Sequence, residues 1–237
     1  MRTTAVFMIL LGLCGAASPA VPDDFRYEIV DGAIVVFGHT LVPGDPLPEA
    51  GECDDCGPFH SVNFVRSPNE RWILITSDVH LANFDAWIFD TQSKAAPNHI
   101  ADKRRGRHFT GTEWHSDYRL ELSFGGMGYS TSLFFDAANP NGAKKIDDLL
   151  LYDAERDVYV RYLHDFETWK HQIEVGPVFF VDGEIERFPI ALDNEFLSES
   201  RLMIESVEID GTSLVVTYDT TARGKVREVF YSRVLVD

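Results

Sequence analysis

Phe64-Val65-Arg66-Ser67-Pro68-Asn69-Glu70-Arg71-Trp72-Ile73-Leu74-Ile75-Thr76-Ser77-Asp78, followed by Asp85-Ala86-Trp87-Ile88-Phe89-Asp90, is the stretch on which the fold assignment rests. Ser-Pro-Asn-Glu encodes a tight turn: proline presets one corner, and Ser and Asn fold their side chains back onto the chain. The flanking apolar runs are short and rich in aromatic and β-branched residues, which reads as paired strands. The second run closes on an aromatic and Asp90. The same ending recurs at Leu133-Phe134-Phe135-Asp136, Leu150-Leu151-Tyr152-Asp153 and Val216-Thr217-Tyr218-Asp219. An apolar strand that closes on Asp and enters a turn is structural punctuation.

Outward from this stretch the chain continues in short apolar runs broken by turns. Asp31-Gly32, Asp182-Gly183 and Asp210-Gly211 stand beside such runs and predict type I′ hairpins, whose two central residues need positive φ. Gly125-Gly126-Met127-Gly128 lies between two β runs and predicts a hairpin tip; phosphate-cradling glycine loops open a helix instead. Helical periodicity is confined to Tyr162–Gln172 and Asn194–Leu202, a turn or two each. Loops are expected at the Pro-, Gly- and acid-rich segment 42–58, at Thr91–Gly111 and at Asn139–Lys145. The fold class is therefore all-β, built from antiparallel hairpins.

The opening stretch resembles one blade, about residues 60–95, of the TolB-type, WD40-like β-propeller repeats. Those repeats run in the order aromatic, Ser-Pro-Asp-Gly turn, apolar strand, loop, and second strand ending in Asp; here Asn69-Glu70 stands in the Asp-Gly position. The resemblance implies strands that pair and twist as half a blade. The four aromatic-Asp endings are spaced 46, 17 and 66 residues by subtraction of their positions, whereas blades return about every 40–50 residues. An interval of 17 is one hairpin long. Two architectures remain open, a small or degenerate propeller-like meander and an irregular β-sandwich, and the repeat favours the first.

Residues 1–20 have the basic start, short apolar centre and small-residue exit of a secretory signal peptide. A lipoprotein anchored through Cys14 is the competing reading, disfavoured because Leu13 precedes it where a small residue is wanted. Residues 21–237 then form a single β-rich domain in the periplasm or outside the cell, with no later transmembrane segment. Removal of the leader leaves Cys53 and Cys56, an even count that in an exported chain predicts a disulfide. The 38 acidic and 21 basic residues give a formal charge of −17, which would repel phosphate backbones and makes nucleic acid and anionic lipid poor candidate partners.

Candidate chemistry is sparse. Cys53-Asp54-Asp55-Cys56 has no helix after it, and its carboxylates oppose thiolate formation, so a structural bridge outranks redox or metal work. His108 and His115, with Glu113 and Asp117 nearby, meet only if a turn at Gly111 folds them together. Asp136, Asn139, Asn141, Asp147 and Asp148 have the oxygen-rich look of a Ca2+ loop, although Lys144 and Lys145 oppose a cation and a polar turn is the plainer reading. Lys103, Arg104, Arg105 and Arg107 form a basic cluster suited to an anionic partner, against the plainer account of a solvated loop. No nucleophile elbow or other catalytic motif is present, and no residue is assigned a catalytic role. The expected function is an exported, non-enzymatic binding protein that presents loops to a protein or cell-envelope ligand, for example a periplasmic inhibitor or immunity protein. The alternative is a secreted hydrolase or lyase acting on glycans.

Overall fold

Ser67 sets the turn that opens the decisive hairpin. Its hydroxyl donates to Asn69 Oδ1 at 2.8 Å and accepts from Trp72 N at 3.0 Å, while Glu70 N donates to Ser67 O at 2.9 Å. Glu70 sits at φ 59°, where a glycine would be unstrained, and its carboxylate meets Arg66 at 3.2 Å. Asp90, at the end of the second strand, accepts from Gln92 N at 3.0 Å. Asp136 takes Ala138 N at 2.8 Å and Asp153 takes Glu155 N at 3.0 Å in the same way. Three of the four aromatic-Asp endings are thus Asp side chains that fold a turn onto themselves.

The computed structural model describes residues 27–43, 60–79, 83–93, 95–101, 108–126, 129–165, 170–179, 183–190, 203–220 and 224–235. The signal-peptide, cysteine-pair and basic-cluster assignments, and the second helical window, fall outside these residues. The first sheet contains β1 (Tyr27–Val30), β2 (Ala33–Val36) and β3 (His39–Leu41). The second has β4 (His60–Arg66), β5 (Trp72–Val79), β6 (Asn83–Asp90) and β7 (Asn98–Ala101). The third has β8 (His108–Trp114), β9 (Arg119–Gly126), β10 (Tyr129–Asp136) and β11 (Asn139–Asp147). The fourth has β12 (Leu149–Asp153), β13 (Val158–Asp165), β14 (Lys170–Pro177) and β15 (Glu186–Pro189). The fifth has β16 (Met203–Asp210), β17 (Ser213–Thr220) and β18 (Gly224–Tyr231). Every pairing is antiparallel between sequence neighbours, and no sheet among the described residues closes on itself.

Successive sheets share successive cores. Ile34, Val36 and Leu41 pack on Phe64, Ile73, Ile75, Trp87 and Phe89. The opposite face of β5 and β6, with Trp72, Leu74 and Ile88, packs on Leu120, Leu122, Leu133 and Phe135. Phe134 points the other way, to the fourth sheet, and Val158, Val160 and Tyr162 face Leu214, Val216 and Tyr218 of the fifth. The internal sheets are covered on both faces, so β5 and β10 carry continuous apolar runs, whereas β9 and β14 interleave apolar residues with buried glutamates. Two sheets around one core would make a sandwich; five sheets with a separate core at each junction make a propeller-like meander. The second to fifth sheets begin at His60, His108, Leu149 and Met203, 48, 41 and 54 residues apart by subtraction.

Several local expectations change. Asp31 and Gly32 adopt φ 51° and 76°, as a type I′ turn demands. Asp210 instead pairs with Ser213, leaving Gly211 (φ 58°) and Thr212 as the corner, a type II′ arrangement with glycine first. The Asp182-Gly183 hairpin is replaced by a longer connection, since Val178 follows the end of β14 and the next pairing is Val175 with Glu186. Tyr162–Asp165 and Lys170–Gln172 lie in β13 and β14 rather than in a helix, because the two segments pair with each other along the antiparallel ladder, Leu163 with Gln172 and Asp165 with Lys170. Asn139–Lys145 is strand β11, held against β10 and accommodating its polar residues with a bulge. The 17-residue interval crosses from the third sheet to the fourth; Asp90 and Asp136 both close third strands, whereas Asp153 closes a first strand and Asp219 lies in a second.

Candidate functional site: the polar seam between the third and fourth sheets

Among the described residues, the junction of the third and fourth sheets has four buried apolar side chains, Phe134, Ile146, Tyr159 and Val178, against eight to twelve at the other junctions. Charged groups fill the remainder, in three linked clusters.

At the β8–β9 turn His115 N donates to Arg119 O at 2.9 Å, which brings the imidazole over β9. Its Nε2 lies 2.9 Å from Glu121 Oε2 and its Nδ1 3.8 Å from Glu113 Oε1, while Tyr152 meets the ring edge-on at 4.6 Å. Glu113 and Glu121 are cross-strand partners. The three ligand atoms fall within 4.8 Å of one another. The imidazole stands between the carboxylates, with one nitrogen toward each. Burial works to raise the Glu121 carboxyl, but hydrogen bonds from His115, Ser132 and Ser123 outweigh it and hold the carboxyl below its ordinary range.

Asp157 joins the two sheets. It takes the left-handed conformation (φ 57°) at the end of the β12–β13 turn. Oδ1 accepts from Arg119 Nη1 at 3.3 Å and Tyr152 OH at 3.0 Å, and Oδ2 from Phe179 N at 3.0 Å. The Arg119 guanidinium lies 4.7 Å from the Phe179 ring centre. Burial, with the Asp157 charge beside it, pushes the Tyr152 phenol far above its usual pKa.

The third cluster is a row across the fourth sheet. Arg161 on β13, Glu174 on β14 and Arg187 on β15 occupy matched register positions. Arg161 Nε donates to Glu174 Oε1 at 2.6 Å, Arg187 Nε to Oε2 at 2.7 Å, and Tyr159 OH to Oε1 at 2.7 Å. Gly176 makes this possible: the Tyr159 ring lies so close that a Cβ there would sit 3.1 Å from its Cε1 and hydroxyl. Burial tends to raise the Glu174 carboxyl, but the donors from Arg161, Tyr159 and Arg187 prevail and lower it. Lys144 reaches across from β11, donates to Pro177 O and lies 4.8 Å from the Tyr159 ring centre. Its pKa is lowered by burial, with Asp157 and Glu174 opposing and Arg161 contributing.

The sequence candidates are distributed differently. His108 opens β8 and His115 lies beyond its other end; Gly111 sits at a bulge, so the two do not meet. In the Ca2+-loop set, Asp136 pairs with Asn139 at one end of the β10–β11 ladder and Asp147 with Thr131 at the other. Five strand residues, roughly 17 Å, therefore separate the two ends. Asp147 is instead engaged by Thr131 Oγ1 at 2.5 Å and Lys145 Nζ at 2.6 Å, and Asp148 accepts from Ser130 N at 3.4 Å. Asn141 lies within β11. The set does not converge, because the segment taken for a loop is strand. Lys103, Arg104, Arg105 and Arg107, like Cys53 and Cys56, lie outside the described residues. Sequence reading passed over Arg161, Glu174 and Arg187; the available signal was a single charge inside each apolar run, between Val160 and Tyr162 and between Ile173 and Val175.

No protein-family model and no curated protein sequence matches the chain. Among solved structures it is similar to the β-propeller domain of a trilobed protease from Pyrococcus furiosus, at 12% identity over 72% of this chain and 68% of that one, with TM-score 0.31. A prolyl endopeptidase is similar at 14% identity, covering 90% and 32% with TM-score 0.35, and oligopeptidase B from Trypanosoma brucei at 12%, covering 84% and 30% with TM-score 0.31. Likeness at this level adds nothing to what the sheet topology defines. No helix among the described residues is long and apolar enough to cross a membrane.

Proposed function

We propose that this chain is an exported, non-enzymatic binding protein that presents the loops and seam of a β scaffold to a protein or cell-envelope ligand, in its most specific form a periplasmic inhibitor or immunity protein. One observation carries the preference for binding over catalysis. Glu121 and Glu174, the buried glutamates of the seam, are held below the ordinary carboxylate range by their donors. A glycosidase general acid needs the opposite, a carboxyl kept protonated near neutral pH by a site that disfavours its charge. The acidic surface implied by the −17 formal charge suits a basic face on a secreted hydrolase. The proposal includes cleavage of residues 1–20, a Cys53–Cys56 disulfide, and membership of the second sheet in the TolB-type repeats.

Expression with the native leader in a Gram-negative host tests it. The recovered protein should lack the leader and gain two mass units on reduction. It should sediment with envelope fragments or bind a purified secreted hydrolase, and release no reducing ends from a panel of envelope and plant glycans. Glycan turnover abolished by Glu121→Gln or Glu174→Gln would overturn the binding reading.

A further inference from the structure

We infer that the Arg161–Glu174–Arg187 row, with Lys144 beside it, is a clamp for an oxyanion, a phosphoryl or carboxylate group carried by the ligand. The inference rests on the binding reading above and names the group recognised. Glu174 is the anchor: its side chain is 1% exposed, and its oxygens accept three hydrogen bonds. Each arginine is gripped through Nε alone. A guanidinium that served only to neutralise Glu174 would gain most by engaging it with two parallel N–H donors. Here the terminal nitrogens of Arg161 and Arg187 meet no acceptor among the described residues. They are forks held at the base with their tips unengaged.

Glu174, at the centre of the row, is 1% exposed, with Arg161 at 25% on one side and Arg187 at 58% on the other, so a buried anchor is flanked by two more open arms. Charge is unbalanced toward the cations. Arg119, Lys144, Arg161 and Arg187 gather around two buried carboxylates, Asp157 and Glu174, in a chain whose overall charge is strongly negative. Burial lowers the Lys144 pKa, and Arg161 adds like-charge repulsion to it while Asp157 and Glu174 oppose. A small anion at the tips would accept from both forks and relieve that repulsion, and planar guanidinium tips suit the paired oxygens of carboxylate or phosphate. The row lies on a regular sheet with both arginines fixed at Nε, so little ordering is left to be done on binding.

The clamp is tested by isothermal titration calorimetry of the full chain with sodium phosphate, sodium sulfate and sodium succinate at fixed ionic strength, with chloride as control. Saturable binding is expected for at least one oxyanion; preference between phosphate and succinate separates a phosphoryl from a carboxylate source. Arg187→Gln, at the exposed edge strand, should fold normally and weaken that binding at least tenfold, while Arg187→Lys should recover part of it. Absence of saturable binding above the chloride control, or equal binding by wild type and Arg187→Gln, overturns the clamp. If Arg161→Gln fails to fold, the Arg187 variants still decide. Wild type that retains its envelope or protein partner yet binds no small oxyanion refutes the clamp and leaves the binding reading intact. Oxyanion binding accompanied by glycan turnover refutes the binding reading and leaves the clamp.

Discussion

Replacing Glu174 by alanine removes the only carboxylate of a three-strand row and leaves two guanidiniums and a phenol without their acceptor. Breaking a buried ion pair by removing one partner costs about 3–5 kcal/mol, because the remaining charge is stranded. Arg161 is 25% exposed and Arg187 58%, so both recover part of their hydration, and the lower end, about 3 kcal/mol, is expected. Urea unfolding followed by tryptophan fluorescence should show this as a midpoint lowered by about 1.5 M, for a slope of about 2 kcal/mol/M. The cost must also depend on pH. The folded-state pKa of Glu174 lies below its ordinary 4.5, so its stabilisation is fully present above that value and disappears as pH falls through the folded-state pKa. The gap between wild type and Glu174→Gln should therefore be constant from pH 7 to about 5 and shrink in more acid solution. A cost below about 1 kcal/mol for the alanine variant, or a gap that is unchanged in acid, would refute the ion-row account.

Three further outcomes follow from the geometry. Asp157→Asn keeps a residue that tolerates the left-handed conformation but loses the charge facing Arg119, whereas Asp157→Ala loses both; the alanine variant should be less stable by about a further 1 kcal/mol in the same urea assay. Gly211→Ala, at φ 58° with open space around the added methyl, should cost about 1–2 kcal/mol through backbone strain alone, and Gly211→Asn much less, by thermal melting. Arg71 bonds Asp90 through two nitrogens at 3.3 and 3.0 Å but is 41% exposed, so Arg71→Ala should lower the urea midpoint only slightly, a difference that shrinks further in about 0.5 M salt through Debye screening.

Local chemistry was legible where it is self-contained. The Ser67-Pro68 turn, the Asp31-Gly32 corner and the Asp side chains that fold their own turns need no distant partner, and each occurs where the sequence placed it. The β2–β3 corner was hidden because Phe37 adopts φ 53°, unusual for a bulky residue; its ring stacks on Phe89 at 4.5 Å, a tertiary contact that offsets the local strain. Asn139–Lys145 looked like a loop for the complementary reason. Its polar residues carry no strand signal, and pairing with the apolar strand β10 imposes one.

The sequence by itself determined the all-β class, the antiparallel pairing of neighbours and the turn chemistry, because these depend on residues a few positions apart. The tertiary structure decided which aromatic-Asp endings are equivalent, since strand rank within a sheet depends on how many hairpins precede it. It also decided the polar seam. Arg161, Glu174 and Arg187 are 13 residues apart in each step and become neighbours only through register, while Arg119 and Asp157, 38 apart, meet across two sheets. Charge in a strand reveals that a partner is needed; which partner answers is fixed by the packing of one sheet on the next.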